Sequence, residues 1–249
     1  IEAYMNFESI NVSGLGPFAE NQTIKFNEGI NVVKGPPGAG KTTIFRALER
    51  KYRETFERQN LPIELAARLI FVGEDYARRE KCGKGIVEDS QLLPNASYIH
   101  LLPTLVSYYL NQMIAPKVML NASKFGPVGD SGFPFHVQIS EVGEIQTFDT
   151  AGNSLADLFL ATGESFLLSL ACNLALRELF QFTDPIVVDN AFGMLDNPTM
   201  LGCHEEIGRS ANQGIYLLSD FCGELIPVAA GNVLQRTDSG QSCVAAVCI

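Results

Sequence analysis

One short motif constrains the fold of this chain more than any other feature of its sequence. An apolar strand pattern over Ile30–Val33 leads directly into the motif, and a helical pattern over Thr42–Arg58 follows it. A strand, a glycine-rich loop and a helix in this order predict a P-loop in an α/β domain. The motif fits G-x-x-x-x-G-K-[ST] at every fixed position, and its residues are Gly35, Pro36, Pro37, Gly38, Ala39, Gly40, Lys41 and Thr42.

The motif predicts a site for a nucleoside triphosphate and Mg²⁺. Its glycines let backbone N–H groups surround a polyphosphate, and the helix that follows points its positive N-terminal end at the same charge. We expect Lys41 to reach the β- and γ-phosphates, Thr42 to bind Mg²⁺ and Thr43 to line the site. The alternative is a glycine-rich turn that contains Lys-Thr without binding a ligand.

The second half of the chain narrows the class of P-loop protein. Pro185–Asp189 is an apolar strand pattern that ends in a carboxylate, and we expect Asp189 to reach the Mg²⁺ from a neighbouring parallel strand. Before it, Leu160–Glu164 precedes a helix predicted over Ser165–Phe182, and after it comes Gly193–Asp196.

This order of motifs resembles the ABC-type ATPase heads of the structural-maintenance-of-chromosomes (SMC), RecF, RecN and double-strand-break-repair family. Those heads have a Leu-Ser-Gly-Gly-Glu signature that opens a helix, an acidic strand end and a loop that ends in Leu-Asp. The run from Phe7–Ile10 to Gly29–Val33 is similar to the family's opening, and the resemblance covers about residues 1–60 and 133–225.

The resemblance implies an α/β head with a mixed central sheet, an antiparallel β subdomain and a helical lobe. We predict one head domain over residues 1–249, with lobe I at about 1–75 and 183–249 and lobe II, a short insertion, at about 76–182. Full members carry a long coiled coil between the two halves, but the stretch before Phe133 shows no sustained heptads.

In such heads, ATP lies between the P-loop of one copy and the signature of another. The resemblance therefore implies a homodimer that forms around Mg-ATP, with the signature helix directing its N-terminal dipole at the γ-phosphate. The apolar stripe of that helix, by contrast, indicates ordinary core packing. Carried over, the further nucleotide-binding residues are Ala161, Thr162, Gly163, Glu164 and Asp196.

Three departures from the family pattern bear on hydrolysis. Ala161 replaces the signature serine, Asn190 replaces the glutamate that normally follows the strand-end aspartate, and Asp220 stands where a histidine is usual. Asparagine can orient a water but cannot take its proton, and a general base contributes about 10²–10⁴-fold to the rate. We therefore predict slow hydrolysis, with Asp220 either positioning water or serving as a plain loop residue. The pairing of the segment Val188–Asp196 with Leu217–Asp220 resembles the DndD-like phosphorothioation-dependent restriction ATPases, which also lack the usual glutamate.

Composition limits the partners. A net charge of -10 argues against a surface that coats nucleic acid broadly, so DNA contact would be local or made by a nuclease or DNA-binding partner. The local candidate is the cation cluster after the P-loop, and its alternative is a solvated helix face shared with Glu49, Glu54 and Glu57. The cluster comprises Arg46, Arg50, Lys51, Arg53 and Arg58, followed later in the chain by Arg78, Arg79, Lys81 and Lys84.

The sequence shows no membrane span, no signal pattern and no Cys-x-x-Cys pair, so we expect a cytoplasmic protein without a zinc hook. Further patterns predict a strand over Arg68–Val72, a helix over Pro103–Ala115 that Pro116 ends, and a closing hairpin of Val233–Gln235 with Ser242–Val247 that carries no site.

Three functions are consistent with these patterns. The first is an ATPase in DNA repair, maintenance or defence. The second is an ATP-dependent dimerisation switch that hardly hydrolyses ATP, which Ala161 and Asn190 favour. The third is the nucleotide-binding subunit of a membrane transporter, which is disfavoured because the N-terminal strands lack a base-stacking aromatic loop.

Overall fold

The computed structural model describes residues 5–19, 22–55, 63–73, 100–125, 135–139, 145–149, 154–155, 162–189, 191–219, 230–236 and 241–247. The strands among them are β1 (Ser9–Asn11), β2 (Thr23–Lys25), β3 (Gly29–Lys34), β4 (Phe71–Val72), β5 (Phe135–Ile139), β6 (Ile145–Asp149), β7 (Ser154–Leu155), β8 (Ile186–Asp189), β9 (Gln213–Leu218), β10 (Ala230–Arg236) and β11 (Ser242–Val247). The α-helices are α1 (Lys41–Thr55), α2 (Ile63–Ile70), α3 (Leu102–Phe125), α4 (Thr162–Leu179) and α5 (Asn197–Ser210).

The described residues group into two compact units. The first takes its residues from Ile1–Gly73, Thr183–Gly193 and Ala211–Ile249. The second takes its residues from Glu74–Phe182 and Met194–Ser210. The chain therefore crosses between the units several times.

A six-stranded mixed sheet forms the centre of the first unit. Its strand order is β11-β10-β3-β9-β8-β4, and every neighbouring pair is parallel except β10 and β11. All six residues of β9 are buried, as expected for a central strand of a parallel sheet covered on both faces. This confirms the predicted mixed sheet.

The strand that carries Asp189 is parallel to the P-loop strand but is not its direct neighbour. β9 lies between them, pairing Lys34 of β3 with Leu218 and Asp189 of β8 with Leu217. The expectation that β8 adjoins β3 was wrong, because sequence order does not show which of several apolar strands inserts between two others. All three strands nevertheless end at the same edge of the sheet.

A separate antiparallel pair, β1 with β2, matches the predicted β subdomain. The buried side chain of Gln213 ties the N-terminal segment to the main sheet. Its Oε1 accepts a hydrogen bond from the Phe7 N–H at 2.9 Å, and its Nε2 donates to the Phe7 carbonyl at 3.0 Å and to the Asn27 carbonyl at 2.8 Å. Such paired amide contacts satisfy backbone groups that would otherwise be buried without partners.

Helix α1 begins at Lys41, directly after the loop, and buries Ile44, Leu48 and Tyr52 along one face. The strand predicted over Arg68–Val72 is present only at its end, since α2 continues to Ile70 and β4 is Phe71–Val72. A short apolar run fits a buried helix end as well as a strand, so its pattern could not separate the two.

Three helices and the antiparallel sheet β5-β6-β7 make up the described part of the second unit. Helix α3 passes through Pro116 and ends at Phe125, so the predicted break there was wrong. Proline fixes φ near a helical value, and a helix can therefore include it at the loss of one backbone hydrogen bond.

Helix α4 begins at Thr162, three residues earlier than predicted, and ends at Leu179 rather than at Phe182. Gln181 has a left-handed φ of 51°, and the Phe182 N–H donates to the Arg177 carbonyl at 2.8 Å. This is a Schellman cap, which satisfies the last carbonyls of the helix without a glycine.

Candidate functional site

The phosphate loop between β3 and α1 turns on two glycines in left-handed conformations. Gly38 has a φ of 78° and Gly40 a φ of 93°, values that other residues rarely adopt. The Ala39 N–H closes the turn by donating to the Pro36 carbonyl at 3.1 Å. The sequence therefore produces a compact loop whose glycines permit the close approach of backbone N–H groups to an anion.

Lys41 lies over this loop. The residue is 8% exposed, and its Nζ donates to the carbonyls of Gly35 at 2.6 Å and Pro36 at 2.9 Å. A buried ammonium group of this kind is held at the loop rather than in solvent, so it supplies a positive charge where phosphate oxygens would bind.

Thr42 and Asp189 meet although they are far apart in the sequence. The Thr42 hydroxyl donates to Asp189 Oδ2 at 2.9 Å, joining the start of α1 to the end of β8. A hydroxyl and a carboxylate are hard oxygen donors of the type that Mg²⁺ prefers. The donor set therefore fits the predicted metal, which Thr42 and Asp189 would hold.

These side chains border an open cleft of about 400 Å³. This volume falls within the range of about 300–1,000 Å³ typical of small-molecule sites. One lining residue, Pro17, was not predicted; it lies in the run Gly14–Pro17, whose two glycines and proline are a sequence signal for a turn. The lining residues are Pro17, Pro37, Gly38, Gly40, Lys41, Thr42, Thr43 and Asp189.

The signature segment belongs to the second unit. Thr162, Gly163 and Glu164 form the first turn of α4, and Gly163 is half-buried. An N-terminal helix turn with a glycine is suited to an anion, since its N–H groups are not used within the helix. Ala161 lies outside the described residues.

Asp196 has a structural role in the same unit. Its Oδ1 accepts a hydrogen bond from the Thr199 N–H at 3.1 Å, and its carbonyl accepts one from the Met200 N–H at 2.9 Å. Asp196 is thus the N-cap of α5, which accounts for an acidic residue at this position without a ligand. Its predicted place in a nucleotide site stays a prediction. Asn190 and Asp220 lie outside the described residues.

The cations of α1 are largely engaged by neighbouring acids. Arg50 pairs with Glu54 at 2.8 Å, while Arg53 pairs with Glu49 at 3.1 Å and with Glu64 at 2.7 Å. The Arg53 guanidinium lowers the pKa of the Glu64 carboxyl, and the Glu64 carboxylate raises the pKa of Arg53. These pairs favour the solvated helix face over a patch that binds phosphate backbones.

Two features are absent from the described part of the chain. No group of three or more His, Cys, Asp and Glu residues there could hold a metal ion. None of its helices combines the length and the apolar character needed to cross a membrane.

Comparison with known proteins agrees with this geometry. A family model described as "AAA domain" matches residues 9–50, which include the phosphate loop. No curated protein matches the chain. Solved structures do match, and three of them are SMC head domains.

The SMC head domain from Thermotoga maritima is 14% identical, with a TM-score of 0.58, 98% of this chain covered and 100% of that one. An SmcHead bound to the C-winged helix domain of ScpA is 13% identical, with a TM-score of 0.66 and 98% of both chains covered. The Smc head with an extended coiled coil bound to the C-terminal domain of ScpA, from Pyrococcus furiosus, is 11% identical, with a TM-score of 0.59, 97% of this chain covered and 96% of that one. At these identities the likeness shows the fold, and it confirms the predicted fold class, a P-loop NTPase of the SMC-head type.

Proposed function

We propose that this chain is an ATPase of the SMC-head type that binds Mg-ATP at its phosphate loop and hydrolyses it slowly. The observation that carries this proposal is the 2.9 Å hydrogen bond between Thr42 and Asp189, in the same cleft that the buried Lys41 lines. A turn without a ligand needs neither a buried cation nor a hydroxyl matched to a distant carboxylate. Together they are the parts that a P-loop site uses to hold a triphosphate and its metal.

Each residue has a separate task in this proposal. The backbone N–H groups of the loop and of the first turn of α1 would bind phosphate oxygens, and Lys41 would exchange its carbonyl partners for them. Thr42 and Asp189 would hold Mg²⁺, which when bound neutralises charge on the β- and γ-phosphate oxygens. Binding and charge stabilisation are thus supplied within the first unit.

The residue after Asp189 is not a general base that could activate the attacking water. Asn190 follows Asp189 where a glutamate would act as general base, and an amide cannot accept the proton. We therefore propose a rate lower by about 10²–10⁴-fold than that of a head with the glutamate. Asn190 can still orient the water, and Asp220 is a further candidate for that role, with a plain loop aspartate as the alternative.

The proposed assembly is a homodimer around ATP. Support comes from the α4 N-terminus, whose first turn contains the half-buried Gly163 and whose helix dipole favours an anion. A second copy would supply this turn to the γ-phosphate, with Thr162 and Glu164 beside it. Two of the similar structures are heads bound to ScpA domains, and a protein partner of comparable kind is proposed for this chain as well.

We place the biological role in DNA repair, maintenance or defence, in the cytoplasm. DNA contact through a nuclease or DNA-binding partner is favoured over direct contact, because Arg50 and Arg53 are engaged by acidic side chains. Similarity to DndD-like ATPases, in the residues after Asp189, is consistent with the defence role.

A second candidate function is an ATP-dependent dimerisation switch without significant hydrolysis. Ala161 and Asn190 favour it, because one removes a hydroxyl expected at the γ-phosphate and the other removes the general base. The switch and the ATPase share the nucleotide site and differ only in turnover.

The test combines phosphate release with oligomeric state. Wild type, Lys41→Ala and Asn190→Glu are incubated with Mg-ATP, and free phosphate and molar mass by light scattering are followed. Slow release by wild type above the Lys41→Ala blank, together with an ATP-dependent dimer, supports the ATPase. A dimer with no release by wild type, and release by Asn190→Glu, supports the switch. No dimer and no release in any variant would contradict both.

A further inference from the structure

The phosphate loop is in tight contact with the N-terminal turn, defined here as Gly14–Phe18. A Cβ placed on Gly40 would lie 2.6 Å from Phe18 Cε2 and 2.8 Å from Pro17 Cγ. The turn also reaches the first turn of α1, because a Cβ on Gly16 would lie 3.0 Å from Thr43 Oγ1. Distances this short leave no room for an added methyl group without a shift of the neighbour.

The N-terminal turn is held in place by the C-terminal hairpin, β10 with β11. The Ser242 N–H donates to the Pro17 carbonyl at 2.7 Å, and Phe18 forms a parallel bridge with Ser242. Ser242 is fully buried and Phe18 is 4% exposed. The turn therefore lies between β11 on one side and the phosphate loop on the other.

The same hairpin contacts the opposite end of the loop. A Cβ on Gly35 would lie 2.8 Å from Leu234 Cβ and 3.4 Å from Leu234 Cδ1. Leu234 belongs to β10, which pairs in parallel with β3 and places Val233 opposite Lys34. The first glycine of the motif thus packs on β10, and the last glycine packs on the turn that β11 holds.

We infer that the C-terminal hairpin β10–β11 positions the phosphate loop for nucleotide binding, with Leu234 and Phe18 as its positioning residues. Neither residue is placed to touch the nucleotide itself, since each acts through a glycine of the loop. This inference rests on the proposed function, because it concerns how well the loop binds Mg-ATP.

The physical basis is preorganisation. A loop that binds phosphate through backbone N–H groups must hold several peptide planes in one arrangement, and any freedom it keeps is lost on binding. Close-packed neighbours at both ends of the loop remove that freedom in advance. Loosening either contact should weaken nucleotide binding more than a packing defect of the same size elsewhere.

The test compares Phe18→Leu with Phe26→Leu. Phe26 is 5% exposed, nearly the same as Phe18, but none of the atoms nearest to Gly35 or Gly40 belongs to it. Both variants are measured by thermal unfolding and by calorimetric titration with Mg-ATP. We expect similar losses in melting temperature, but a Kd for Mg-ATP raised about tenfold only in Phe18→Leu.

A second pair of variants, both in β11, tests the inference if Phe18→Leu fails to fold. Ser242→Pro removes the N–H that binds Pro17, and Val244→Pro removes the N–H that binds Gln22 Oε1 at 3.0 Å on the same edge of β11. We expect weaker Mg-ATP binding from Ser242→Pro alone. Equal Kd values within each folded pair, with wild type binding Mg-ATP, would overturn the inference and leave the proposed function standing. No binding by wild type would instead overturn the proposed function.

Discussion

The contact between Gly40 and the N-terminal turn makes a quantitative prediction for Gly40→Ala. The substitution places an L-residue at a φ of 93°, which costs about 1–2 kcal/mol in a left-handed conformation. It also forces a methyl group against Phe18 at 2.6 Å and Pro17 at 2.8 Å. Overpacking of this kind costs about 1–3 kcal/mol, so the total loss in free energy of unfolding should be about 2–5 kcal/mol.

Gly14→Ala separates the two contributions within the same unit. Gly14 has a left-handed φ of 71°, but no atom of the described residues lies within 4 Å of its added Cβ. It therefore carries the backbone strain without the collision, and its expected cost is only about 1–2 kcal/mol. The difference between the two variants measures the contact of Gly40 with the turn.

Two glycines of helix α5, in the second unit, allow a similar comparison. A Cβ on Gly202 would lie 2.5 Å from the Met113 carbonyl oxygen, a backbone atom that cannot rotate away. Among the described residues, no neighbouring atom would lie within 4 Å of a Cβ on Gly208. Gly208→Ala should stabilise by about 0.5–1 kcal/mol through helix propensity. Gly202→Ala should destabilise in spite of the same gain.

The assay for all four variants is urea unfolding followed by circular dichroism, and each pair is compared within its own unit. Agreement requires that Gly40→Ala cost more than Gly14→Ala, and that Gly202→Ala and Gly208→Ala differ in sign. A cost of Gly40→Ala no greater than that of Gly14→Ala would show that the phosphate loop is not packed against the turn.

Three further predictions concern single side chains. Thr42→Val should leave the melting temperature within a few degrees of wild type, since the hydroxyl is exposed. The same variant should abolish the dependence of nucleotide affinity on Mg²⁺. An unchanged Mg²⁺ dependence in calorimetry would exclude a metal role for the Thr42–Asp189 pair. Burial raises the pKa of the Glu206 carboxyl, so the folded state binds its proton more tightly than the unfolded state. The contribution of Glu206 to the stability of the wild type is therefore fully present below the ordinary glutamate pKa of about 4.3. It is lost as the pH rises through the raised pKa of Glu206 in the folded state. Glu206→Gln should gain stability over wild type between acidic and neutral pH in urea titrations, and a constant difference across that range would argue against the burial. Tyr109→Phe removes the 2.7 Å hydrogen bond to Glu178 Oε2 and should cost about 1.5–3 kcal/mol in urea unfolding, whereas a neutral result would mean that water replaces the hydroxyl.

The parts of the site that share a local pattern could be predicted from sequence. The loop from Gly35 to Thr42 and the strand that ends at Asp189 each follow from spacing and hydropathy within a few residues. The mixed sheet and the antiparallel pair β1–β2 followed from the resemblance and are present in the structure.

The contribution of the C-terminal hairpin could not be predicted. Leu234 and Ser242 reach the phosphate loop through contacts with residues about 200 positions earlier, and such contacts leave no periodic signal in the sequence. The hairpin itself was predicted, but without a site. The position of β9 between β3 and β8 was missed for the same reason, because strand order depends on long-range pairing.

Two local errors have local causes. The run Leu69–Val72 is apolar throughout, so its pattern fits the end of a buried helix as well as a strand. The structure divides the run between α2 and β4. Pro116 was taken as a helix end, although its fixed φ is compatible with the helix that continues to Phe125.

Calorimetric titration of wild type and Lys41→Ala with Mg-ATP tests most directly whether the phosphate loop binds Mg-ATP. Lys41→Ala removes the buried ammonium group without touching the Thr42–Asp189 pair. We predict one saturable site per chain in wild type, and a loss of about 2–5 kcal/mol of binding free energy in the variant, as expected when one partner of a buried charged pair is removed. Equal affinity in the two proteins, or no binding by wild type, would contradict the account.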